Sequence, residues 1–345
     1  MNANRMNPNH MAATVRITRW TRPSVATAIA ACAALLLAAF VPLLLGANAV
    51  DRLTTLFIYV ILAVAWNAMA GYGGLVSIGQ QAFFGLGAYF TIRLSAAGVS
   101  VYVALFAAAC IVAVISVPLS FLMLRLRAGE LAIGMWVLAE LAHLLVNLDG
   151  LIQGETGTSL VALDRIAAPV RHAATYWIAL AAVAALLGGL FALLRSRQGA
   201  AIQAIRDDED TAASLGVRVL ASKRLIFVFA AFGAALAGAL WLATAISFQP
   251  RAYFSVQWTA TMIFMVLVGG LGTFEGPIIG AVIFFAIESW LGAAGVWYLV
   301  GLGATALLFA LFAPRGLWGF LESRGVPRLL FVGYHVSSSH KAGSS

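Results

Sequence analysis

Charge is scarce in this 345-residue chain. Asp, Glu, Lys and Arg together make up 10% of it, where a soluble domain carries about 25%. Apolar residues make up 62%, and the mean hydropathy is +0.96. One water-soluble core cannot hide that many apolar side chains and still be wrapped in polar surface. A soluble globular fold is therefore excluded, and lipid is the expected solvent. Lysine is rarest among the charges: Lys223 follows Ser222 and Lys341 follows His340. Neither stands in the Gly-Lys-Ser/Thr of a nucleotide-binding loop. Cysteine is limited to Cys32 and Cys110, both inside apolar runs. That leaves no disulfide framework and no thiolate zinc site, and both read as small buried hydrophobes. There is no Gly-x-Ser-x-Gly elbow, and Ser, His and Asp are scattered over separate stretches, so the chain is not expected to be an enzyme. The net charge of +8 sits between apolar runs rather than on an aromatic-laced basic face, which argues for orientation charges and against nucleic acid.

What the chain has in abundance is apolar runs of span length, about 20 residues for a helix crossing a bilayer. Ten are present, over 24–46, 53–70, 77–97, 100–124, 131–149, 174–194, 225–246, 257–272, 277–291 and 297–313. The expected fold class is thus an all-α polytopic membrane protein of about ten transmembrane helices, some short or broken. With both ends cytoplasmic and all ten runs crossing, 16 Lys and Arg fall on the inner side and 4 (Arg52, Arg165, Arg171, Arg251) on the outer side, as the positive-inside rule requires. Ala47-Asn48-Ala49 imitates a signal-peptide cleavage site, but the preceding apolar run exceeds the usual 7–15 residues, so an uncleaved first span is expected. The layout is then a cytoplasmic tail over 1–23, a membrane domain over 24–313, and a cytoplasmic tail over 314–345 in which Ser337-Ser338-Ser339 marks an end without regular structure. Two connections are long, 150–172 outside and 195–224 inside.

Gly73-Gly74-Leu75-Val76-Ser77, between the second and third spans, is echoed by Gly269-Gly270-Leu271-Gly272-Thr273 between the eighth and ninth. Such breaks at matching places suit an internal repeat that flanks a transport pathway. They equally suit close helix packing. The inner loop over 199–216 is too charged for the bilayer and reads as two short helices. Asp207 or Asp208 can cap the second, Glu209 and Asp210 favour its first turn, and Gly216 supplies a left-handed stop. A short amphipathic pair of this kind suits docking into a groove on a partner, or a plain solvated connector.

At this point a resemblance becomes specific. Ala204-Ile205-Arg206-Asp207-Asp208-Glu209, with Ala212, Leu215 and Gly216, resembles the ATPase-docking loop of the branched-chain amino acid type of ABC transporter permease. Three further stretches are similar to that family in order and spacing: Gly74 through Tyr89, including Gly79-Gln80-Gln81 and Gly85-Leu86-Gly87; Val268 through Ala281, including Gly276-Pro277; and Ala313-Pro314-Arg315-Gly316-Leu317. The sequence departs from the pattern at Gln81, where a small residue is more usual, and over Leu131–Met135, differences that bear on what is carried. The resemblance implies a permease subunit of a bacterial inner-membrane importer. It implies pairing with a sister permease as a heterodimer, two cytoplasmic ATPases that use ATP and Mg, and a periplasmic solute-binding protein. No cofactor is implied in this chain. Amino acids, branched-chain ones first, are the implied cargo, with urea, short amides and small carboxylates behind them.

The polar residues inside spans are the remaining candidates. Asn67, Ser77, Gln80 and Gln81 cluster around the first glycine break, where irregular backbone must be covered by protein or lined by water. They could line a solute pathway or hydrogen-bond helix to helix. Glu140 and His143 share a helix face. One Glu-x-x-His without a second set does not make a metal site, which leaves an interior hydrogen-bonded pair, a pathway role, or a proton relay in an ion-coupled secondary transporter. Glu288 and Arg93 read as wet or snorkelling near the outer interface. Gly73, Gly74, Gly85, Gly87, Gly269, Gly270, Gly272 and Gly276 are the expected hinge or close-packing positions.

Overall fold

In a computed structural model the protein is described over residues 15–18, 22–164, 166–292, 295–313, 315–324 and 335–338. Pro314 of the last family-like motif and most of both tails lie outside these residues. The described residues are mainly helical, in the order α1 (Arg22–Ala39), α2 (Val41–Leu44), α3 (Ala47–Asn67), α4 (Gln81–Ala96), α5 (Val101–Met123), α6 (Ala128–Asn147), α7 (Val161–Asp164), α8 (Ala168–Arg195), α9 (Arg197–Asp207), α10 (Glu209–Ser214), α11 (Val219–Ala245), α12 (Pro250–Tyr253), α13 (Val256–Gly269), α14 (Gly276–Leu291), α15 (Val296–Phe312) and α16 (Gly316–Ser323). The first apolar run divides between α1 and α2, and each of the other nine overlaps one long helix. Among the described residues eight helical segments are long and apolar enough to cross a membrane. The chain is a polytopic all-α membrane protein, and α4, α13 and α14 are its short members, at 16, 14 and 16 residues.

Two helices form the centre. From Ile58 onward every residue of α3 is buried, and α11 is buried along most of its length. Helices apolar on all sides belong inside a bundle. Around this pair, α4 and α5 pack on α11, α8 and α14 pack on α3, and α13 packs on both α14 and α3. The outward faces of α1, α6 and α15 keep large apolar side chains exposed, among them Leu36, Trp136, Val137 and Leu308. Cys32 also lies exposed on α1, not buried as expected, because α1 stands at the rim of the bundle and turns that face outward.

Glycine sets the closest crossings. A Cβ at Gly87 would overlap the Ala235 carbonyl, and one at Gly238 the Phe84 carbonyl, so α4 and α11 touch backbone to backbone. In the same way Gly280 lies against the Met265 carbonyl and Gly269 against Gly276, which closes the α13–α14 hairpin. Small residues permit this approach where lipid supplies no hydrophobic drive between helices.

The connections sort to two ends. At one, 71–76, 206 and 270–276 meet; at the other, Asp51 pairs with His172 at 2.5 Å and β2 (Thr158–Ser159) pairs antiparallel with β3 (Ser247–Phe248). The long connection over 150–172 is thus anchored by a short ladder and by α7. The expectation of an irregular end at Ser337–Ser339 is not met over His335–Ser338, where β4 pairs with β1 (Val15–Thr18), two short stretches containing β-branched residues that suit a ladder.

Candidate functional site

The first glycine break begins as a π-turn. α3 continues into Ala68–Tyr72 as π-helix, a form that concentrates at functional sites. The chain then runs without regular structure to α4. Gly74 sits at φ 67°, a left-handed position that suits glycine. The indole Nε1 of Trp66 donates to the Ser77 carbonyl at 3.1 Å, and a Cβ at Gly79 would overlap the Met135 carbonyl of α6. This segment is therefore wedged between α3 and α6. The second break, 270–275, has left-handed glycines as well, Gly270 at φ 138° and Gly272 at φ 72°.

The two breaks are joined directly. Asn67 Oδ1 accepts from the Gly272 N–H at 2.8 Å, and Asn67 Nδ2 donates to the Thr273 carbonyl at 2.9 Å. Asn67 is fully buried, so its amide substitutes for the backbone partners that the broken α13–α14 hairpin lacks. A Cβ at Gly71 would lie 2.6 Å from the Gly272 nitrogen; only glycine allows that contact. Gly316 packs on Gly270, bringing the start of α16 to the same junction.

The charged loop reaches this junction through one side chain. The Ser196 hydroxyl caps α9, accepting from the Gly199 N–H at 3.3 Å. Asp208 caps α10, accepting from the Thr211 N–H at 2.9 Å, and Gly216 ends it at φ 83°, as the sequence suggests. With hydrogen bonds from the Thr211 backbone and hydroxyl, the Asp208 carboxyl is held below its usual range. Ile205 and Ala212 are buried, packing the pair onto the bundle rather than facing outward. Ala204, Asp207, Asp208, Glu209 and Leu215 form the exposed surface. Glu209 is tied to Lys223 of α11 at 2.6 Å. Arg206 is exposed as well, but one arm of its fork reaches inward: Nη1 donates to the Gly71 carbonyl at 3.0 Å, while Nε and Nη2 donate to Asp207 Oδ1 at 3.0 and 2.8 Å. Its stem lies over Gly74, where a Cβ would be 3.3 Å from Cγ.

The other polar candidates divide. Gln81 accepts from the Thr259 hydroxyl, and the Ser77 hydroxyl accepts from the Gly79 N–H at 3.2 Å; both are fully buried. Gln80 is buried too, yet neither atom of its amide finds a protein partner among the described residues. Glu140 and His143 lie elsewhere, toward the far end. His143 Nδ1 is 3.2 Å from Glu140 and Nε2 is 2.8 Å from Glu155, while Asn147 Nδ2 donates to Glu155 at 2.6 Å. The ring stacks on Phe254. Glu140 is 60% exposed, so the pair is not interior to this chain. The sequence places Glu155 in the long outer connection but gives no sign that it meets His143, because a loop carboxylate carries no periodic signal. Burial raises the Glu155 pKa, but Asn147, His143 and the Arg251 N–H outweigh it and hold the carboxyl below its usual range. No cluster of metal-ligating side chains occurs among the described residues.

Comparison with known proteins adds three findings. The family described as branched-chain amino acid transport system, permease component, matches residues 48–312. The high-affinity branched-chain amino acid transport system permease proteins LivM of Salmonella typhimurium and Escherichia coli are each 27% identical over 312 residues, covering 83% of this chain and 73% of the relative. A solved ABC transporter of the metal-chelate type, in an inward-facing conformation, is similar at 17% identity with a TM-score of 0.46, covering 87% of this chain and 99% of that one.

Proposed function

The chain belongs to the family of branched-chain amino acid transport permease components and is a multi-pass permease subunit of an ABC transporter; from that premise we propose that it imports a branched-chain or similar small amino acid. The α9–α10 surface takes the cytoplasmic side and receives the ATPases, and both termini share that side. A sister permease completes the pathway and a periplasmic binding protein delivers the solute.

The observation that carries this reading is the reach of Arg206 from the exposed loop to the Gly71 carbonyl. A partner that shifts α9 pulls on the π-turn after α3. Asn67 passes that shift to the α13–α14 break. Ile205, Ala212 and the Lys223–Glu209 pair keep the loop from moving independently of the bundle. A stiff loop linked to two glycine hinges is what coupling nucleotide-driven motion to a pathway needs. In this mechanism Asn67, Ser77 and Gln81 hold the junction closed. Gln80, whose amide is uncommitted, makes hydrogen bonds to the passing solute when the junction opens.

The test is purification from native membranes in mild detergent, followed by mass spectrometry of what accompanies the chain. Stoichiometric ATPase subunits and a second permease, with leucine uptake lost on deletion, are the expected result. A homo-oligomer without ATPase from a preparation that preserves complexes would overturn the reading and favour an ion-coupled transporter.

A further inference from the structure

A cavity of about 330 Å³ opens between α3, α11, α12, α13, α14 and α15, away from the glycine junction. That is toward the small end of the ~300–1,000 Å³ range of small-molecule sites. On its wall stands Glu288, half-buried near the end of α14, accepting from the Tyr59 hydroxyl at 2.7 Å. At the rim stands the exposed Arg251 of α12. Among the described residues neither forms an ion pair, with the other or with any third group. A carboxylate in a span without a cation is costly to keep and marks a functional position. Aromatic rings close the sides: Trp241 stacks on Tyr59 at 6.3 Å and meets Trp258 edge-on at 4.9 Å. The Trp258 N–H is spent on the Ala252 carbonyl, and the Tyr298 hydroxyl is buried with no protein partner among the described residues.

We propose that this cavity binds a zwitterionic α-amino acid, its ammonium on Glu288 and its carboxylate toward Arg251. The inference rests on the amino-acid reading above and adds a site within this chain. An unpaired carboxylate among aromatic faces suits an ammonium, which both the charge and the ring quadrupoles attract. A guanidinium without a carboxylate partner suits the opposite end of the same molecule. Trp241 and Phe284 leave apolar wall for an aliphatic side chain. An amine alone would leave Arg251 unused, and a carboxylic acid alone would meet Glu288 with like charge.

The test is equilibrium binding of radiolabelled leucine to the full chain, purified with its accompanying subunits. Isoleucine, isoamylamine and 4-methylpentanoate serve as competitors, and leucine import is measured in cells. Isoleucine is expected to displace leucine about tenfold or more better than either half-molecule, and Glu288→Gln and Arg251→Gln each to weaken binding about tenfold or more. Arg251 is exposed, so its variant decides the matter if Glu288→Gln fails to fold. Unchanged binding in Arg251→Gln overturns the proposal, and so does isoamylamine binding as tightly as leucine. Absence of leucine binding in a protein that still imports leucine refutes the site while leaving the proposed function standing. Import of other small solutes but no amino acid would refute both.

Discussion

Arg206 donates to the carbonyl of Gly71 at 3.0 Å, a contact between residues 135 positions apart. It joins the most charged loop of the chain to the π-turn that interrupts its most buried helix. Arg206 has a planar fork of five donors. Two of its nitrogens bind Asp207 while the third holds Gly71, so the same side chain touches the exposed loop surface and the buried junction.

Asn67 is the second link. Asn67→Leu leaves the Gly272 N–H and Thr273 carbonyl without their partner, and a buried polar group left unsatisfied costs about 1–3 kcal/mol. The expected outcome is a clear loss of thermal stability in detergent together with loss of leucine uptake. Asn67→Asp keeps the acceptor for Gly272 but sets a buried carboxylate oxygen against the Thr273 carbonyl, and is expected to melt at or below Asn67→Leu at neutral pH.

The α4–α11 crossing allows no side chain at Gly87 or Gly238. Gly87→Val and Gly238→Val are expected to abolish folded protein in the membrane. Gly129→Ala and Gly188→Ala, where a Cβ meets nothing within 4 Å, are expected to accumulate normally. Fluorescence-detected size-exclusion of tagged variants distinguishes the two classes.

Much of this was legible in the sequence, and the boundary has a physical cause. Helix spans follow from apolar run length, and the Asp208 cap and Gly216 stop follow from local backbone chemistry. Both glycine breaks could be located in the same way. What could not be read was which distant groups meet. Asn67 could be read either as a pathway residue or as a helix-to-helix hydrogen bonder, because a lone amide in an apolar run carries no sign of its partner, and its partners lie 205 and 206 positions away. Ile205 and Ala212 looked like docking surface because a short helix shows its face only once the bundle beneath it is known. Glu288 looked wet because Tyr59 and the tryptophans that surround it come from other helices.

The far end should respond to acid. Burial raises the Asp149 pKa, but the Leu151 N–H, the Tyr89 hydroxyl and Arg93 outweigh it and hold the carboxyl below its usual range; Glu155 is lowered in the same sense. A depressed folded pKa contributes stability that is present above the unfolded value, about 4, and is lost as pH falls through the folded one. Hydrogen exchange over 148–160 is therefore expected to be slow and insensitive to these groups above pH ~5, after correction for intrinsic exchange. Protection is expected to fall as the pH drops below about 4. Asp149→Asn should flatten that dependence.

The loop surface should be needed for partner binding and not for folding. Asp207 and Asp208 are exposed, so Asp207→Lys with Asp208→Lys reverses the surface charge, and it also removes the carboxylate that holds Arg206 beside the Gly71 carbonyl. Reduced recovery of ATPase subunits in pull-downs, with unchanged insertion, is the expected result. Loss of the Asp208 cap also weakens the loop locally, which Asp208→Ser alone controls for, since serine still caps.

The central claim is that motion of the α9–α10 loop reaches the pathway through Arg206. The direct measurement is the ratio of leucine transported to ATP hydrolysed by the reconstituted transporter, wild type against Arg206→Ala. The account predicts ATP hydrolysis within about twofold of wild type and leucine transport down by about tenfold or more, the equivalent of losing one charge-assisted hydrogen bond of roughly 1.5 kcal/mol or more. An unchanged ratio in Arg206→Ala would contradict it.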